Sequence, residues 1–334
     1  MLKIYYDSDA DLNIIKKETI AIIGYGSQGR AQALNLKDSG CKVIVGLRKN
    51  SPSYKRAIDE GLEADEISNA CAKASLIAVL IPDEAHADVY EKEIKPTLTR
   101  GKMLLFSHGF SIHFHQISPP ENIDVGMVAP KSPGNILRRE YVAGRGVPAL
   151  IAVEKNYSGT AKERALSYAK AIGATRAGVI ETTFKEETET DIFGEQAVLC
   201  GGVTALMKAG FETLVKAGYQ PEVAYFECIN EMKLIVDLIY EGGFSLMHKS
   251  ISNTAEYGDY ISQDKIITEQ VKNNMKKILE EIQSGKFAHN WVLENKAGQP
   301  MLKSMRRMME QDIVEQIGSK LRKMMPWIKE NKNY

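Results

Sequence analysis

An α/β domain built on a parallel sheet covered on both faces, followed by an all-helical domain, is the fold class this sequence predicts. Three observations carry the prediction. Short apolar runs alternate with helix-period segments through the first half of the 334 residues. A glycine-rich turn follows the first of those runs. Past about residue 181 the alternation ends and long helical stretches take over. A chain of this length exceeds one ordinary core, so two domains are expected.

The first strand is expected at residues 19–23, an apolar run that stops at Gly24. Helical periodicity over 26–37 follows and ends near Ser39 and Gly40. Further strands are expected at 42–45, at 75–81 before Pro82, and at 103–106, 124–128 and 149–153. The second half reads as helices at 185–199, 204–217, 221–240, 268–284 and 312–325. Pro221 suits a first helical turn after Gly218, and Gly242-Gly243 suits a stop. The boundary falls at about residue 181, giving domains 1–181 and 182–328, with a frayed polar end at 329–334.

Composition narrows the function classes. The chain is 44% hydrophobic and 26% charged, as a globular protein is. Basic and acidic residues balance at 43 each, so no charge excess favours a nucleic-acid partner. No apolar run is expected to reach the roughly 18 residues of a membrane span. The N-terminal segment carries acids where a signal peptide has a continuous apolar stretch. Cys41, Cys71, Cys200 and Cys228 form no CxxC pair and are expected as small buried residues in a reducing cytoplasm.

Gly24-Tyr25-Gly26-Ser27-Gln28-Gly29 is a G-x-G-x-x-G sequence between a strand and a helix. Gly24 permits the tight turn, Gly26 lets a pyrophosphate approach, and Gly29 lets helix pack on strand. This is a Rossmann-like dinucleotide signature rather than a chance glycine turn. An NAD site usually carries an acid about 20 residues onward for the ribose hydroxyls. Here Arg48, Lys49, Ser51 and Ser53 occupy that loop, a set suited to a 2′-phosphate and hence to NADP(H). Asp83, Glu84, Ala85 and His86 follow the strand ending before Pro82, either lining the dinucleotide or forming a surface turn.

Two loops at strand ends carry catalytic candidates. His108, in SHGF, is placed to relay a proton or orient water. Lys131, in VAPKSPG, is placed to neutralise developing negative charge, unless it is simply a solvated lysine. The helical half adds two acidic pairs, Asp191 with Glu195 and Glu227 with Glu231, each on one helix face by its four-residue spacing. The first pair, among Glu186, Glu187 and Glu189, also reads as an ordinary solvated surface. The second sits among Tyr225, Phe226, Ile229, Met232, Leu234 and Ile235, so that helix is expected to be buried. Buried carboxylates call for a cation, and an all-oxygen set suits Mg²⁺.

These residues together resemble the ketol-acid reductoisomerases, in their short, single-helical-domain class I form. The resemblance rests on GYGSQGRAQALNL, SHGF, VAPKSPG, SISNTAEYGDY and the long block from residue 176 to 243, and covers nearly the whole chain. It implies an NADP-binding Rossmann domain followed by a knotted helical domain that holds metal and substrate. It further implies a homodimer with shared active sites and two Mg²⁺ ions per site. Asp191, bridging both ions, and Glu195 would come from one subunit, and Glu227 and Glu231 from the other. Ser252 matches the substrate-binding serine, His108 a catalytic position, and Lys131 a polar catalytic residue. Tyr25 to Gln28, Arg48, Ser51, Ser53, Asp83 to His86 and Gly134 match NADPH contacts. His86 stands where glutamine is usual, and Asn230 where histidine is often seen.

The implied reaction begins with a Mg²⁺-dependent alkyl shift in 2-acetolactate or 2-aceto-2-hydroxybutyrate. NADPH then reduces the resulting 2-keto group to give a 2,3-dihydroxy-3-methyl acid. Glu231, or a metal-bound hydroxide aided by Lys131, would take the hydroxyl proton. Two rivals are a metal-independent β-hydroxyacid dehydrogenase and a non-catalytic NADP-binding protein.

Overall fold

The computed structural model describes residues 3–325 and 328, so the expected polar end at 329–334 lies outside the described residues. The chain forms two compact units, Met1–Thr190 and Asp191–Tyr334. The first carries strands β1 (Ile4–Tyr5), β2 (Thr19–Ile23), β3 (Lys42–Gly46), β4 (Glu63–Asp65), β5 (Leu76–Val79), β6 (Met103–Phe106), β7 (Asp124–Pro130), β8 (Ala149–Lys155) and β9 (Val179–Glu181). They form one sheet in the order β1-β9-β8-β7-β6-β5-β2-β3-β4.

From β4 across to β7 every pairing is parallel. The expectation of a parallel sheet fails only beyond β7, where β8 runs antiparallel to it, and at β1 on the far edge. Residues of β5, β6 and β7 are all buried, because side chains of both alternating sets meet a covered face. Ile20, Ile22, Leu76 and Leu105 enter one core, and Ala21, Ile23, Ile77 and Phe106 the other. The chain runs outward from β2 to β3 and β4, then returns to place β5 on the other side of β2. The carboxyl ends of β2 and β5 are therefore the topological switch point, where an open α/β sheet binds ligands.

The second unit is helical, but its helices are more broken than expected. The 185–199 stretch divides into an α-helix at Phe184–Gly194 and a π-helical turn at Glu195–Leu199. The 221–240 stretch divides into Pro221–Tyr225, a π-helical turn at Phe226–Asn230, and Met232–Ser250. The backbone leaves helical geometry at Gly242 and Gly243, where a stop was expected. Helices at Asn253–Ile266, Lys286–Lys296 and Pro300–Glu310 went unpredicted. Phe211, Ala224, Tyr225, Ile317 and Leu321 form a small core.

Much apolar surface stays outside that core. Leu199 is 69%, Leu234 58% and Tyr240 90% exposed in the single chain, and Val236 and Phe244 are exposed as well. The helical stretch expected to be buried is thus covered only in part: Tyr225 is buried and Phe226, Ile229, Met232 and Ile235 are half-buried, while Leu234, Val236 and Tyr240 face solvent among the described residues. Cys200 is likewise exposed, whereas Cys41 and Cys71 are buried as expected. The continuous helical stretch Phe184–Lys216 also holds an 18-residue window of mean hydropathy 1.4, against the expectation that no apolar run reaches span length.

Candidate active site

The glycine turn fills the switch point. Gly24 ends β2 with φ +102°, and a Cβ there would lie 2.7 Å from the Leu80 carbonyl oxygen at the end of β5. A Cβ on Gly29 would meet the Gly24 oxygen at 2.3 Å, so this glycine sets the close packing of the helix Ser27–Asp38 on its own turn. A Cβ on Gly26 would meet nothing within 4 Å, which leaves its backbone open to a ligand. These are the three separate roles that the motif assigns to its glycines.

A cavity of about 860 Å³ opens over this turn. Gly24, Tyr25, Gly26, Ser27, Gln28, Arg48, Ser51, Ser53, Asp83, Ala85, His86 and His108 line it. Gly29, Glu84, Lys131 and Gly134 are absent from its lining. Gly29 and Gly134 act behind the wall instead: a Cβ on Gly134 would meet the Ser27 oxygen at 2.1 Å. Ser51 caps the helix Pro52–Asp59 by accepting from the Tyr54 amide at 3.2 Å.

His86 is buried, and its imidazole is tied inward. Nε2 lies 2.9 Å from the Ile81 carbonyl oxygen and Nδ1 2.7 Å from the Ser111 hydroxyl. A carbonyl only accepts, so Nε2 carries the proton and Nδ1 accepts from Ser111. Burial pushes the His86 pKa down against the pull of Asp83, which favours this neutral form.

Buried polar groups connect the glycine turn to the neighbouring loops. Gln32, fully buried, accepts from Tyr168 Oη at 2.8 Å and donates to Gln28 Oε1 at 3.1 Å and Ser107 Oγ at 3.0 Å. Gln28 in turn donates to the Ser132 carbonyl at 2.8 Å. The buried Gln32 amide thus has a partner for both its oxygen and its nitrogen, as a desolvated polar group requires.

Beyond β6 lies a junction that sequence reasoning missed. Glu187, treated above as one of several acids around the first pair, is only 1% exposed. Its Oε1 accepts from Lys131 Nζ at 2.9 Å, and its Oε2 from the Gly109 amide at 2.9 Å. His108 Nδ1 stands 3.2 Å from Oε2. Burial alone would raise the Glu187 pKa, but hydrogen bonding and charge from His108 and then Lys131 outweigh it and lower it. Gly109 has no room for a side chain, since a Cβ would lie 2.2 Å from Thr188 Oγ1. The available signal was Glu187 standing one helical turn before Asp191. Next to it, Glu189 pairs with His113 at 3.3 Å.

Asp191 follows Glu187 by four residues on the helix Phe184–Gly194. Glu195 opens the π-helical turn that follows, and Glu227 lies in the other one, with Glu231 directly after it. Each acidic pair therefore has one member, Glu195 or Glu227, in a π-helical turn, an irregularity frequent at functional sites. Glu195, Glu227 and Glu231 are exposed in the single chain. Ser252 caps the helix Asn253–Ile266, accepting from the Ala255 amide at 3.2 Å, and is exposed.

A doubly wound sheet with this turn at its switch point, and a lysine–carboxylate–histidine junction at the same sheet edge, defines a nucleotide-dependent oxidoreductase. Comparison with known proteins narrows the class. Residues 14–178 match the family model described as "Acetohydroxy acid isomeroreductase, NADPH-binding domain", and residues 184–327 match "Ketol-acid reductoisomerase, C-terminal domain". The ketol-acid reductoisomerase (NADP(+)) of Petrotoga mobilis is 60% identical over 98% of this chain and 99% of its own length. The structure of an NADH-preferring ketol-acid reductoisomerase from an uncultured archean superposes with a TM-score of 0.94 at 49% identity, covering 96% of this chain and 99% of that one. A pyrroline-5-carboxylate reductase from Coxiella burnetii shares the fold alone, with a TM-score of 0.56 at 14% identity over 80% of this chain and 98% of its own. The chain belongs to the ketol-acid reductoisomerase family. It is an oxidoreductase with isomerase activity, which sets aside both rivals.

Proposed function

We propose that the enzyme uses NADPH and Mg²⁺ to convert 2-acetolactate or 2-aceto-2-hydroxybutyrate to the 2,3-dihydroxy-3-methyl acid. The observation that carries this is the Glu187 junction, which fixes Lys131 and His108 beside a carboxylate-rich helix. Asp191 and Glu195 are assigned to the metals, with Glu227 and Glu231 arriving from a second subunit. Their all-oxygen donor set fits a hard cation. When bound, Mg²⁺ supplies Lewis acidity at the substrate's carbonyl and hydroxyl oxygens.

The chain's own groups do the rest. Lys131 Nζ, held by Glu187, places positive charge where alkoxide develops during the alkyl shift. Glu231 accepts the hydroxyl proton. Ser252 binds the substrate, and the fixed His108 orients it or relays a proton. The nicotinamide lies toward His108 in the cavity that Gly24 to Gln28, Asp83 and His86 line, with Glu84 and Gly134 flanking it. Arg48, Ser51 and Ser53 take the 2′-phosphate, which favours NADPH over NADH. We place the functional boundary at residues 181/182 and read the helical part as the family's knotted, dimer-forming domain. The exposed Leu199, Leu234 and Tyr240 support a second copy of the chain as their cover. We assign the enzyme to the cytoplasm, without a membrane or nucleic-acid partner.

The test is NADPH oxidation with 2-acetolactate, with and without Mg²⁺. Turnover should need Mg²⁺ and run faster with NADPH than with NADH. Undiminished turnover after exhaustive EDTA treatment would reject the metal assignment, and equal efficiency with both nucleotides would reject the 2′-phosphate assignment.

A further inference from the structure

The cavity holds one charged side chain without an assignment so far. Glu93 sits in a π-helical turn, Tyr90–Ile94, directly after the helix Asp83–Val89. It lines the cavity with Leu47, Ile67, Ile81, Pro82 and Val89, all apolar. Glu93 is half-buried, and among the described residues its side chain makes no hydrogen bond or ion pair. A carboxylate partly withdrawn from water beside apolar walls wants a donor. Among the described residues none supplies it, so water does in the free protein, and a ligand that displaces that water must bring a donor of its own.

The position of Glu93 along the cavity says which part of the ligand it meets. The cavity runs from Leu47 and Arg48 at the end of β3 to Ser107 and His108 at the end of β6. Three strand spacings of about 4.8 Å separate those ends by roughly 14 Å, the scale of an extended dinucleotide. With the pyrophosphate over the central glycine turn and the nicotinamide at His108, the other base falls at the β3 end. Ile67 opens the helix Ile67–Lys73, which packs on β3 and β2, and the turn bearing Glu93 packs on that same helix.

We propose that Glu93 reads the adenine base of the dinucleotide, its carboxylate accepting a hydrogen bond from the exocyclic amino group while Ile67 and Val89 contact the ring faces. The assignment rests on the dinucleotide reading above and adds to it a choice of base. A base with a carbonyl in place of the amino group would set two acceptors against each other, and a site built on a donor rejects such a ligand.

Calorimetric titration of NADPH and of its hypoxanthine analogue, which carries a carbonyl at that position, tests this without turnover. The unmodified enzyme should bind NADPH about tenfold more tightly than the analogue, as one charge-assisted hydrogen bond implies. In Glu93→Gln the amide can donate to the carbonyl, so the two affinities should come within about twofold. Glu93→Ala should weaken NADPH alone, by about tenfold. Equal affinities in the unmodified enzyme, or a preference that survives both substitutions, would overturn the role of Glu93 and leave the dinucleotide reading standing. Failure of the unmodified enzyme to bind either nucleotide would overturn both.

Discussion

Lys131 Nζ stands 2.9 Å from Oε1 of Glu187, a carboxylate almost wholly withdrawn from solvent. The same carboxylate reaches His108 and the Gly109 amide through its other oxygen. One side chain thereby fixes two loops that follow different strands. Glu187→Gln keeps the shape and removes the charge. Turnover should fall about 100-fold, the scale of misplacing one proton-transfer or charge-stabilising group. NADPH affinity, measured by calorimetry, should stay within about twofold, since Glu187 does not line the cavity. A variant of full activity would show that the junction is only structural.

The glycines of the turn should separate stability from binding. Gly29→Ala forces a Cβ against the Gly24 oxygen at 2.3 Å, and should destabilise the protein by about 1–3 kcal/mol in urea unfolding. Gly26→Ala meets nothing within 4 Å, so its unfolding midpoint should barely move while NADPH binding weakens by at least about tenfold.

His86 predicts an acid-side loss of stability. Its pKa in the fold lies below the ordinary 6.5 because burial disfavours the charged ring. The unfolded chain therefore takes up the proton first as pH falls. The associated stability is complete above about pH 6.5 and declines from there down to the folded pKa. His86→Gln, which can donate to Ile81 and accept from Ser111, should flatten that part of the melting-temperature profile. An unchanged profile would show that the imidazole is not the group responsible.

The proposed function assigns Asp191 to the metal-dependent half of the reaction. Asp191→Asn should slow isomerisation of 2-acetolactate by about 100-fold or more and affect reduction of the pre-isomerised keto acid less. Equal loss in both half-reactions would place Asp191 in something other than the alkyl shift.

The exposed apolar residues of the helix Met232–Ser250 make assembly testable. Leu234→Asp puts a charge on its apolar surface and should shift the sedimenting species from dimer to monomer, with activity lost in step. An active monomer would contradict shared sites.

Much of the first unit was legible because its signals are local. The strand–glycine–helix succession at 19–37 names both the element types and the ligand class, whereas the switch point needs the strand order, which only the structure gives. The antiparallel β8 was not legible, since a buried strand has the same composition in either direction. Glu187 was hidden among similar acids: only the fold shows that its turn of helix faces Lys131 while Glu186 stays at the surface. The stretch of Glu227 and Glu231 looked like a core helix because its composition is that of an interior one, yet both glutamates, Leu234 and Tyr240 are exposed in the single chain.

The bonds from Gln32 to Gln28 and on to Ser132 reach further than the cavity wall they stiffen. Ser132 is the immediate neighbour of Lys131, so the turn that grips the nucleotide is splinted to the loop that carries the ammonium. Loading the coenzyme and aiming the lysine are consequently movements of a single piece of scaffold, and slack introduced at either end is inherited by the other.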